Sequence, residues 1–171
     1  PEFDHVDADA DLGQQVGARR VLVGEQQLGD GPAAELPACE QGAREAVAHA
    51  LALDPACAPA LVERAALARG DGETAIALAA LEQLTNLLPQ QAPFWHDLGT
   101  LRAESGDVQG ARAALERALA LSPGNADARF RLANLDATAG DRVAAIGGYR
   151  RCLAARPGWR EALFNLGELL L

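Results

Sequence analysis

Pro55, Pro89, Pro123 and Pro157 stand 34 residues apart, and the side chains between them recur in register. Ala43, Ala77, Ala111 and Ala145 share one slot, Val47, Leu81, Leu115 and Tyr149 a second, and Gly72, Gly106 and Gly140 a third. A period of this length belongs to arrays of small supersecondary units, none of which buries enough apolar surface to stand alone. The chain of 171 residues is 49% hydrophobic but only 4% aromatic, so its apolar matter is mostly Ala and Leu. Small, smooth side chains of that kind suit close packing of helices.

Residues 92–125 carry two helical patterns separated by Ser105-Gly106-Asp107. In the second, Ala111, Leu115, Ala118 and Leu119 follow the i, i+4, i+7, i+8 spacing of an amphipathic helix. Gly106 suits the positive φ that ends a helix, and Asp107 is placed to cap the next one. Pro123 closes the unit, because proline disfavours helical geometry in the residue before it. With Trp95, Leu98, Gly99, Gly106, Ala111, Leu115, Ala118 and Pro123 at the signature positions, the unit resembles a tetratricopeptide repeat. The resemblance implies an all-α, right-handed superhelix of antiparallel helix pairs. The complete absence of Lys among its cations points to a GC-rich bacterial source.

Residues 126–159 repeat the unit, although Arg129 takes the slot of a large apolar residue. Residues 58–91 are a weaker copy, with Arg64 where Leu is usual and Leu84 where a small residue is usual. Residues 160–171 restart the pattern as the first helix of a truncated repeat or as a capping helix. Residues 38–57 keep the register of a second helix from a degenerate repeat. Upstream, 4–37 read as an irregular segment with a possible displaced helix over 14–28, and 1–3 as a cloning remnant. The chain is expected to be a piece of a longer protein.

A net charge of −9 opposes a nucleic-acid partner. No apolar run reaches the ~18 residues of a membrane span. Cys39, Cys57 and Cys152 have no metal-ligand or disulfide spacing, so a reducing, cytoplasmic setting is expected. Asp7, Asp9 and Asp11 resemble the start of a calcium loop, but Leu12 and Ala18 stand where that loop needs Gly and Glu, so a solvated acidic segment is the reading. His5, His49 and His96 lack any spacing with carboxylate or thiol that suggests a metal or a nucleophile and base. No cofactor, metal or catalytic residue is expected, and Trp95, Tyr149 and Cys152 read as packing residues.

The resemblance implies a noncatalytic interaction scaffold that holds a peptide or partner domain in a concave groove lined by first helices. Its groove positions fall on Val62, Ala66 and Arg69, then His96, Thr100, Ala103 and Glu104, then Phe130, Asn134 and Thr138, then Phe164 and Glu168. Val62, Phe130 and Phe164 offer seats for an apolar anchor, and Thr100 and Asn134 offer bonds to an extended backbone. The carboxylate-binding set of some family members is missing, since Val62, Ala66 and Asp97 occupy its donor positions and only Arg131 and Asn134 remain nearby. Two other readings stand beside this one: a substrate-recruiting arm of a glycosyltransferase, sulfotransferase or hydroxylase, and a module that self-associates through its C-terminal helix. Phe130→Glu is expected to abolish partner capture with little loss of helicity.

Overall fold

The computed structural model describes residues 36–171, with side chains from 41 onward. Among them are eight α-helices and no strand: α1 (Leu36–Leu53), α2 (Ala58–Gly70), α3 (Thr74–Leu87), α4 (Ala92–Glu104), α5 (Val108–Leu121), α6 (Ala126–Thr138), α7 (Arg142–Ala155) and α8 (Arg160–Leu170). The possible helix over 14–28 lies outside the described residues. α1 opens at Leu36 and takes Pro37 into its first turn, where a missing N–H is no loss. The chain divides into two units at Cys39 and Glu40, and the second is a solenoid of antiparallel helix pairs.

Each of the pairs α2–α3, α4–α5 and α6–α7 turns on a glycine at the same place in the period. Gly72, Gly106 and Gly140 have φ of 77°, 88° and 81°, the left-handed conformation that only glycine takes without strain. The residue after each glycine donates its N–H back into the first helix, Glu73 to Ala68 O at 2.8 Å, Asp107 to Arg102 O and Asp141 to Asp136 O at 2.9 Å. Asp107 and Asp141 then accept the N–H of Gly110 and Ala144 at 2.9 and 3.0 Å, capping α5 and α7. Glu73 holds the same backbone position ahead of α3 and makes no such bond. Its carboxylate is one methylene too far out. Glu73→Asp is therefore expected to stabilise the array by about 1 kcal/mol, read as a higher urea midpoint in circular dichroism.

The proline corners are equally alike. Leu88, Ser122 and Arg156 each bond back four residues at 2.8 Å, and Gln91, Asn125 and Trp159 each bond back three, at 3.0 to 3.2 Å. Pro89, Pro123 and Pro157 sit inside these corners, and Asp54 and Cys57 bond in the same way around Pro55. The indole Nε1 of Trp95 donates to Pro89 O at 2.9 Å. One period later the Arg129 guanidinium donates to Pro123 O at 2.5 Å, so the arginine replaces the tryptophan's bond as well as its position.

Three cores follow one another along the array, and each is shared between neighbouring pairs. Leu61, Leu81, Leu84 and Leu98 are buried together, as are Ala111, Leu115, Ala118 and Ala128, and then Ala133, Ala145, Tyr149, Cys152 and Ala162. Helices cross closely where side chains are missing. A Cβ on Gly99 would lie 2.7 Å from Leu115 Cγ, and one on Gly148 would lie 2.6 Å from Ala133 Cβ. Ion pairs also join neighbours: Arg44 with Asp71 at 2.6 Å, Arg102 with Glu82 at 2.7 Å, Arg112 with Asp136 at 2.6 Å and Arg156 with Asp127 at 3.1 Å. Partly exposed pairs of this kind contribute little to stability.

Candidate functional site

The first helices α2, α4, α6 and α8 carry the groove positions named from the sequence. Val62 and Arg69 are exposed on α2 and share a cleft of about 110 Å³ with Ala66, Phe94 and Asp97. Asn134 on α6 and Glu168 on α8 share another of about 310 Å³ with Thr138, Tyr149, Asn165 and Leu169. Phe164 is 65% exposed and is the most accessible aromatic side chain among the groove positions.

Between these clefts the array is more closed than its sequence suggests. Thr100 is 2% exposed and its Oγ1 has no hydrogen-bond partner, so it lies inside the packing rather than on a peptide-facing surface. His96 is half-buried, with Nδ1 3.2 Å from Asp97 Oδ1 and Nε2 buried without a partner. Glu104 is exposed and lies 3.9 Å from Arg131, the cation that the sequence offered as a free polar donor. Phe130 is half-buried, its ring 4.6 Å from that of Trp159 and 5.7 Å from that of Tyr149. Trp159 in turn lies under the Arg156 guanidinium at 5.0 Å.

Asn134 belongs to a polar cluster. The Tyr149 hydroxyl donates to Asn134 Oδ1 at 2.7 Å, and Asn165 Nδ2 donates to the same oxygen at 3.2 Å and to the hydroxyl at 3.4 Å. Burial raises the Tyr149 pKa above its usual 10.0, so the phenol remains a donor at neutral pH. Sequence reasoning missed Tyr149 and Asn165 as lining residues of this cleft. The tyrosine fills a packing slot by its ring and reaches the cleft only by its hydroxyl.

A larger cavity of about 480 Å³ opens where α1, α2 and α3 meet, lined by Val47, Leu51, Leu67, Ala68 and Ile76. Two departures from the period line it. Arg64 stands where Leu98 fills the next junction, and Ala68 stands where Arg102 spans it. Burial of Cys152 raises its thiol pKa, which keeps it a neutral, inert packing group, and its Sγ lies 3.6 Å from Ala126 O. Among the described residues no group of three or more His, Cys, Asp or Glu is placed to hold a metal, and no helix is long and apolar enough to cross a membrane.

Residues 72–135 match the family model described as tetratricopeptide repeat. The protein MamA has a crystal structure that aligns with a TM-score of 0.71 and 26% identity, over 76% of each chain. YrrB, described as a tetratricopeptide repeat protein with an unusual peptide-binding site, aligns with a TM-score of 0.67 and 22% identity, over 79% of this chain and 71% of its own. A mutant O-GlcNAc transferase of Thermobaculum terrenum aligns with a TM-score of 0.60 and 29% identity, over 68% of this chain and 22% of the transferase. No curated protein sequence matches the chain.

Proposed function

We propose that the chain, whose residues 72–135 match the tetratricopeptide repeat model, is a noncatalytic scaffold that binds a peptide or partner domain along the surface of α2, α4, α6 and α8. The observation that carries the reading is the row of clefts on those helices, with Val62 and Phe164 exposed at either end and Asn134 and Glu168 together between α6 and α8. An apolar anchor beside polar groups is the pattern by which an extended peptide is held. The contributing repeats are taken as 58–91, 92–125 and 126–159, flanked by the helices of 38–57 and 160–171. Arg69, His96, Thr100, Glu104 and Phe130 complete the proposed groove, with Thr100 and Phe130 acting from beneath its surface.

A recruiting arm on an enzyme is the second reading, supported by the likeness to part of an O-GlcNAc transferase. The two predict the same groove and differ in what the parent gene encodes beyond this stretch.

Phe130→Glu is a poor test of the groove, because Phe130 stacks on Trp159 and Tyr149 and its loss also weakens the junction of α6 with α7 and α8. Phe164→Glu is cleaner. With the ring 65% exposed, the variant is expected to keep the parent circular dichroism spectrum and urea midpoint. Peptides selected from a displayed library on the parent chain should bind the variant at least about tenfold more weakly, the loss of one anchor side chain. Unchanged binding by every selected peptide removes this face from consideration.

A further inference from the structure

We propose that the cleft between α6, α7 and α8 is a subsite for a neutral peptide amide, with Tyr149 as the residue that orients it, and that it discriminates against a free carboxylate. The inference rests on the groove reading above and names what one part of that groove takes. Its basis is the count of donors and acceptors left over in the cluster. Because the Tyr149 hydroxyl accepts from Asn165 at 3.4 Å, its single hydrogen goes to Asn134 Oδ1 at 2.7 Å. Asn165 Nδ2 adds a second donor to that oxygen at 3.2 Å. Both lone pairs of Asn134 Oδ1 are then used, and its orientation is fixed with Nδ2 as the free end.

Asn134 Nδ2 donates to no protein acceptor among the described residues, and it borders a cleft of about 310 Å³. Glu168, exposed one turn beyond Asn165 on α8, borders the same cleft and enters no ion pair among the described residues. The cleft therefore presents N–H donors from one side and a carboxylate acceptor from the other. A peptide amide answers both, with its carbonyl to Asn134 and its N–H to Glu168. A carboxylate ligand satisfies the donors but meets Glu168 as a like charge, and an ammonium pairs with Glu168 but faces the amide donors. Tyr149 does not touch the ligand in this arrangement. It acts by holding Asn134 in one of its two amide orientations, and its raised pKa keeps the needed proton in place.

The test uses two single-group probes, N-methylacetamide and acetate, titrated into the ¹⁵N-labelled chain while the side-chain amide signals of Asn134 and Asn165 are followed. The amide is expected to move both signals and to bind about tenfold more tightly than the acid, the equivalent of one good hydrogen bond against one repulsion. Glu168→Gln, a change at an exposed position, should bring the acid to within about twofold of the amide. Tyr149→Phe should keep the helical spectrum, weaken the amide probe about tenfold and leave two exchanging orientations of Asn134 visible. Acid binding equal to or tighter than amide binding overturns the proposal, as does a Tyr149→Phe variant with unchanged affinity. Silence of both signals with both probes also overturns it, and if peptide binding still depends on Phe164 the groove reading survives that result.

Discussion

Ala111→Trp is expected to unfold the array. Ala111 is fully buried where α5 crosses α4, and its surroundings have no spare room: even a single methyl added at Gly99 would come within 3.1 Å of the Ala111 carbonyl oxygen and 2.7 Å of Leu115 Cγ. Inserting one or two extra methylenes into a close-packed core costs about 1–3 kcal/mol, and an indole adds nine heavy atoms at a helix crossing. The crossing cannot widen without separating the cores on either side, because Leu115 and Ala118 on the same helix also pack against α6. In a quasi-one-dimensional array a break at a central unit removes the interfaces of both neighbours. The expected observation is a large loss of helical circular dichroism at 25 °C, while Arg117→Trp on the exposed side of the same helix keeps the parent spectrum and urea midpoint. Retention of the parent midpoint by Ala111→Trp means that α4 and α5 do not cross at that residue.

The architecture was legible because its causes are local and repeated. A glycine that must take positive φ, an Asp that caps, a proline that stops a helix and an alanine at a crossing each leave a residue type at a fixed offset. The capping Asp recurs twice and each of the other offsets three or four times. The proposed groove was named only as a set of positions. Thr100 occupies a groove position and is nonetheless buried, because exposure depends on how closely α4 lies to its neighbours rather than on its place in the period. Arg129 reads as a departure until its guanidinium is found on Pro123 O, where it makes the bond Trp95 makes to Pro89 O. The cavity beside Arg64 and the Tyr149 cluster were missed for a related reason. Both depend on how residues of different helices meet, Arg64 and Ala68 of α2 against α1 in one case and Tyr149 with Asn165 across α7 and α8 in the other. No single position carries that signal.

Leu84 gives the second large effect, and its direction runs against the period. The equivalent residues one and two repeats on are Ala118 and Cys152, both fully buried, so the regular choice at position 84 is a small side chain. Leu84 is fully buried too, in the core that holds Leu61, Leu81 and Leu98. That core has room for it because Leu61 stands where the larger Trp95 stands one repeat later, and the two leucines share the volume differently from Trp95 and Ala118. Leu84→Ala, although it restores the regular residue, is therefore expected to leave a cavity and to cost about 2–5 kcal/mol, read as a lower urea midpoint with the native spectrum retained in buffer. The double variant Leu61→Trp/Leu84→Ala gives this pair the combination its neighbour already uses and is expected to recover part of the loss. A double variant less stable than Leu84→Ala alone means that the two positions do not exchange volume, and that Leu84 is held by contacts with α4 instead.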